Sequence, residues 1–109
     1  MILATTDTIP GREIAHTLGV VRGNTIRARH LGRDVMAGLR GVFGGEVGEY
    51  TKLMGEAREQ SIDRMMAEAE QLGADAIVAI RFTTSMVMTG AAEILCYGTA
   101  VALEREDGR

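Results

Sequence analysis

Residues 91–103 constrain the fold more than any other segment, because they alternate like a β-strand and are apolar on both faces. An antiparallel sheet that helices cover on one side has a polar outer face, and two helices cannot cover both sides of so small a sheet. A strand of this kind therefore predicts an interface with further copies of the chain. One face carries Ile94, Cys96, Ala100 and Ala102, and the other carries Leu95, Tyr97, Val101 and Leu103.

The composition points the same way. The 109 residues include 14 Gly, two Phe, two Tyr and no Trp, so a core must be built mostly from aliphatic side chains and Met. The length is that of one domain, residues 1–109. We predict that other copies of the chain complete the packing of this domain.

Several classes of protein and partner are excluded. The net charge of −3 argues against a nucleic-acid partner. No apolar run reaches the roughly 18 residues that a membrane span needs, and residues 1–6 do not resemble a signal peptide. The single cysteine, Cys96, cannot form an internal disulfide, which predicts a cytoplasmic protein.

Periodicity places the remaining elements. Apolar residues at helical spacing predict a long helix over 49–72 that ends at Gly73, and a shorter helix over 33–43. Strands are predicted over 14–21, 25–28, 76–88 and 91–103, with a bend at Gly23-Asn24 and a hairpin turn at Thr89-Gly90. In the first of these strands His16 shares a face with Ile14 and Leu18. The prediction is a two-layer α+β fold, with an antiparallel sheet packed on one long helix plus a shorter helix.

The joint between the two predicted helices is the first candidate site. Charged side chains, exposed backbone and one hydroxyl meet there. They suit either a small ligand or metal at a subunit interface, or ion pairs and a tyrosine hydrogen bond that hold the subunits together. The residues are Arg33, Asp34, Arg40, Gly44, Gly45 and Tyr50.

Sulfur atoms form the second candidate site. If the turn centres on Gly90, Met86 lies opposite Ile94, Met88 lies opposite Ala92, and Cys96 shares their face. Two thioethers and a thiol suit a soft ion such as Cu(I), and His16 is a further candidate ligand. The alternative is that the methionines fill gaps in the core and the cysteine acts as a small hydrophobic residue.

Catalytic signatures are missing from the sequence. Cys96 lies within an apolar strand, where the pKa of a thiol rises, and Ser61 and Ser85 have no His–Asp partner set. We therefore predict a protein that is not an enzyme and that needs no cofactor.

The order of several short motifs resembles the YbjQ family, which carries a heavy-metal-binding label. The match runs from residue 5 to about residue 104. The resemblance implies a dodecin-like α+β subunit that assembles into a pentameric ring, in which short extra strands join neighbours. It implies no defined set of metal ligands. The motifs are Thr5-Thr6-Asp7, Gly11-Arg12-Glu13-Ile14, Leu18-Gly19-Val20-Val21-Arg22-Gly23, Arg33-Asp34, Val42-Phe43-Gly44-Gly45, Gly48-Glu49-Tyr50, Leu72-Gly73-Ala74-Asp75-Ala76-Ile77 and Tyr97-Gly98-Thr99-Ala100-Val101.

Overall fold

The fold is taken from a computed structural model that describes residues 1–28 and 45–105, with side chains described from residue 51 onward in the second range. It contains four strands and one helix in these residues. The predicted helix over 33–43 lies outside the described residues. The elements are β1 (Ile2–Leu3), β2 (Ile14–Ala28), α1 (Gly45–Gln71), β3 (Ala76–Met88) and β4 (Ala91–Leu103).

The four strands form one sheet in the order β1-β3-β4-β2. Strand β4 is antiparallel to both β3 and β2, whereas β1 is parallel to β3. A parallel pair needs a long crossover between its strands, and here β2 and α1 lie between them in the chain. The α+β class is confirmed, but the sheet is mixed and not wholly antiparallel.

The predicted positions of the hairpin and of the helix C-terminus are confirmed. Strands β3 and β4 have the predicted bounds and flank Thr89-Gly90, where Gly90 has a φ of 78°. Helix α1 stops before Gly73, whose φ of 75° suits glycine at a helix C-terminus.

The register of the hairpin differs from the prediction by two residues. Met86 lies opposite Ala92, and Phe82 lies opposite Cys96. The two-residue turn pairs Met88 with Ala91 directly, and an irregularity between Met86 and Met88 shifts the rest.

Strand β2 is continuous, so the predicted bend at Gly23-Asn24 is wrong. Gly23 is there because α1 crosses the strand at this point. A Cβ atom on it would lie 2.1 Å from the Ser61 carbonyl oxygen and 2.5 Å from the Met65 backbone nitrogen. The glycine therefore marks a close approach between helix and sheet and not a turn.

The core lies on both faces of the sheet. On the helix side, Ala57, Ser61, Met65 and Ala69 form a fully buried stripe at intervals of four residues. It packs over the first of two clusters. That cluster consists of Val21, Met65, Ala69, Ile77, Ile80, Cys96 and Ala100, and the opposite cluster of Ala76, Val78, Val101 and Leu103, packed against Ile9 and Ile14.

β-Bulges explain two incorrect face assignments. Ala79 has a φ of 55°, and the register shifts between Val78 and Arg81. Strict alternation along β3 places Val78 and Ile80 on one face, but with this bulge they belong to opposite clusters.

Two register shifts in β2, between Ile14 and His16 and between Thr17 and Gly19, have the same effect. They place Ile14 and Leu18 in opposite clusters and leave His16 exposed. Simple alternation had placed all three residues on one face.

Candidate functional site

Most residues of the first candidate site, the joint between the helices, fall outside the described part of the chain. This is the case for Arg33, Asp34, Arg40 and Gly44. Gly45 begins α1 and Tyr50 lies in its first two turns. The role of this group stays a prediction.

The sulfur atoms of the second candidate site are separated. Cys96 is fully buried under the helix, and its thiol donates a hydrogen bond to Met65 Sδ at 3.3 Å. Met86 is 76% exposed near the hairpin turn. Its partner Ala92 is four residues from Cys96 along β4, or ~13 Å at strand rise.

The environment of Cys96 favours a neutral thiol. Burial raises the pKa of this group above its ordinary value of 9.0, as the apolar strand predicted. The sulfur nearest to Cys96 comes from α1, and the helical spacing of Met65 offered a signal for it. What the sequence did not show was which helix residue faces the middle of β4.

The described side chains, those of residues 1–28 and 51–105, form no cluster that could hold a metal ion such as zinc. No three side chains of the types His, Cys, Asp and Glu converge there. His16 is exposed opposite Ala102, seven positions along β2 from Gly23, the residue paired with Cys96. A structural zinc ion needs four protein ligands, and a catalytic one needs three, so the described residues do not fit zinc.

A buried polar group links β2 to the helix. The Thr25 hydroxyl donates to the Ala57 carbonyl at 2.7 Å and lies beside Ser61 Oγ, which is 3.2 Å from the Ile94 carbonyl oxygen. Beyond it, Arg27 Nη2 donates to Gln60 Oε1 at 2.6 Å. Among the described residues, Arg27 Nε is the one buried side-chain nitrogen or oxygen without a hydrogen-bond partner.

An apolar pocket of about 180 Å³ opens beside the helix, where the N-terminal strand meets β3. No local pattern in the sequence predicts this pocket, because it depends on the parallel pairing of β1 with β3. The pocket can hold a small apolar group and offers no acid or base to it. Its lining is Leu3, Ala4, Thr5, Ile62, Met65, Ile80 and Phe82.

This geometry defines a small α+β domain with a mixed sheet packed on one helix. A crystal structure of a protein of unknown function from Pediococcus pentosaceus, assigned to the DUF74 family, shares the fold. Its TM-score is 0.60 at 17% identity, covering 94% of this chain and 97% of the other. No helix in the described residues is both long and apolar enough to cross a membrane.

The chain belongs to the YbjQ family, whose model is described as "Putative heavy-metal-binding" and matches residues 1–104. A UPF0145 protein of Methanosarcina acetivorans is 64% identical over 103 residues, which cover 94% of this chain and 97% of that protein. A UPF0145 protein of Vibrio parahaemolyticus is 58% identical, covering 94% and 98%. The family resemblance predicted from the motifs is thus confirmed.

Proposed function

We propose that the chain is a non-catalytic, cytoplasmic protein that works as a homo-oligomer and binds a ligand at its subunit interfaces. The observation that carries this proposal is an elongated molecule with apolar side chains left in solvent. Its radius of gyration is 18.1 Å, whereas a compact domain of this length has about 13 Å.

Two of the exposed apolar side chains lie on the sheet face away from the helix. Val20 is 62% exposed and Ile26 is 58% exposed. The chain covers part of this face itself, since Ile9 and Ile14 pack on Val101 and Leu103. The remaining part needs a neighbour, and five copies is the number that the family resemblance implies.

The dependence of thermal unfolding on protein concentration tests this proposal. Because an oligomer gains stability by mass action, its melting temperature rises with chain concentration. We expect a steady rise over a hundredfold range of concentration. A melting temperature that does not change over this range would contradict the proposal.

The interface ligand is expected to be anionic. Arg27 Nε is buried and has no acceptor among the described residues, and such an atom favours a carboxylate or phosphate oxygen. The proposed site includes six further residues, which either bind this ligand or form ion pairs and a tyrosine hydrogen bond between subunits. They are Arg33, Asp34, Arg40, Gly44, Gly45 and Tyr50.

Arg27→Lys tests the anion site. Lysine keeps the positive charge but lacks the planar pair of nitrogen donors, so this variant should bind an anion more weakly in calorimetry. The control variant Arg105→Lys should bind it as tightly as the unsubstituted chain does.

A second candidate function is binding of a soft metal ion, and the contact between Cys96 Sγ and Met65 Sδ favours it. A thiolate and a thioether suit Cu(I), and the thiol must lose its proton to bind. This pair replaces the grouping of Cys96 with Met86 and Met88, which are distant from it. His16 could serve as a ligand only if the His16 of a neighbouring copy lay near Cys96 and Met65.

Elemental analysis of protein purified without an affinity tag tests the second candidate. Stoichiometric metal should be lost in Cys96→Ala and Met65→Leu and kept in Met86→Leu. Metal-free protein whose melting temperature does not respond to copper, zinc or nickel would contradict metal binding. Metal retained in both core variants would contradict the proposed ligands.

A further inference from the structure

The N-terminal segment forms one wall of the apolar pocket beside the helix. Leu3, Ala4 and Thr5 belong to the pocket lining, and backbone hydrogen bonds hold this segment against β3. Ala4 N donates to the Ile77 carbonyl at 2.9 Å, and Ile80 N donates to the Ala4 carbonyl at 3.1 Å. The wall is therefore built within one chain, and the pocket exists with or without the proposed homo-oligomer.

The pocket is small, apolar and open to solvent. Leu3 is 39% exposed and Phe82 is 43% exposed, whereas Met65 is fully buried. A ligand can therefore enter beside Leu3 and Phe82, and it would remove their apolar surface from water. An apolar cavity of about 150 Å³ holds one benzene molecule, so a pocket of about 180 Å³ has room for about six carbon atoms.

Arg81 places a positive charge beside this pocket. Its Nη1 donates to the carbonyl oxygens of two lining residues, Thr5 at 2.8 Å and Ile80 at 2.9 Å. Among the described residues, its Nε and Nη2 have no hydrogen-bond acceptor. These two nitrogens form one edge of the guanidinium, and such an edge binds both oxygens of a carboxylate.

We propose that the pocket and Arg81 together bind a small monocarboxylate whose apolar body has about six carbon atoms. The body fills the pocket, and the carboxylate accepts hydrogen bonds from Nε and Nη2 of Arg81. A polar body is disfavoured, because the backbone nitrogen and oxygen of Ala4 already have partners and the lining is apolar. This site is separate from the interface anion site proposed at Arg27.

Calorimetry on the full chain with three probes tests the proposal without any substitution. Hexanoate carries both the apolar body and the carboxylate, hexanamide lacks the charge, and acetate lacks the body. We expect hexanoate to bind about tenfold or more tightly than hexanamide and about a hundredfold more tightly than acetate. Equal affinity for hexanoate and hexanamide would contradict the role of Arg81, and equal affinity for hexanoate and acetate would contradict the role of the pocket.

Arg81→Met should weaken hexanoate binding about tenfold and leave hexanamide binding unchanged. Arg22→Met is the matched control, since Arg22 is also exposed and pairs with the same Tyr97 from the other side of β4. It should bind hexanoate as the unsubstituted chain does. Arg27→Lys should also keep this affinity, which distinguishes the pocket from the interface anion site.

The methyl group of Met65 provides a local readout by nuclear magnetic resonance. Its signal should shift on addition of hexanoate, because Met65 lines the pocket, whereas that of the exposed Met86 should not. The inference is overturned if the Met65 signal does not move, if Arg22→Met and Arg81→Met lose equal affinity, or if hexanoate does not bind. The last result is expected if a neighbouring copy fills the pocket, and the proposed homo-oligomer would survive all three.

Discussion

At the scale of single residues, Gly23 shows how tightly the helix and the sheet are joined. Small side chains on α1 and the missing side chain on β2 let the two backbones approach. A glycine within a strand pattern suggests that the strand ends or bends there. Close approach of another backbone explains the glycine equally well. The choice depends on a contact 38 residues away, and no local pattern contains that information.

Gly23→Ala should lower the free energy of unfolding by about 3 kcal/mol, because the added methyl group overlaps backbone atoms of the helix. Gly55→Ala is the control within the helix. There the new Cβ meets only the end of the Arg58 side chain at 3.7 Å, so we expect a gain of about 1 kcal/mol from helix propensity. Chemical denaturation at one fixed protein concentration measures both. Equal changes in the free energy of unfolding in the two variants would contradict the close approach of the helix to Gly23.

The raised pKa of Cys96 predicts a loss of stability in alkali. Burial favours the neutral thiol, so the folded state holds its proton to a higher pH than the unfolded state. The contribution is complete below the ordinary pKa of 9.0 and is lost as the pH rises toward the folded-state pKa. Unfolding measured from pH 8 to pH 10 should show this slope in the natural chain and a smaller slope in Cys96→Ala. The same slope in both would contradict a buried neutral thiol.

At the scale of elements, the hairpin shows what a sequence can and cannot specify. Alternation and the Thr89-Gly90 turn are local signals, and they gave the bounds of β3 and β4 correctly. Register and face are different, because one extra residue reverses the side chains beyond it. The bulge at Ala79 is such a residue, and alanine at a positive φ gives no warning of it.

Ala79→Gly should raise the free energy of unfolding by about 1 kcal/mol, since glycine adopts this backbone conformation without strain. Ala79→Val should lower it by at least as much, because a β-branched side chain is disfavoured there. Denaturation midpoints of the two variants measure the difference. A more stable valine variant would show that Ala79 does not have a positive φ.

At the scale of the whole molecule, the class of fold was predictable and the sites were only partly so. The long helix and paired strands define an α+β domain from sequence alone. The parallel pairing of β1 with β3 joins residues 2–3 to residues 76–77, and the pocket beside β1 depends on it. Periodicity cannot reveal such a long-range contact. Cys96 was identified as a candidate ligand, but its neighbour Met65 comes from another element.

The central claim is that one copy of this chain does not complete its own packing. We infer this from the large apolar side chains that are exposed in the described residues, both on the sheet face away from the helix and along β3. The mass of the intact assembly in native mass spectrometry tests this claim most directly. We predict a multiple of the 11.7 kDa mass of the chain, with five copies as the expected number. A clean monomer at micromolar concentration would contradict it.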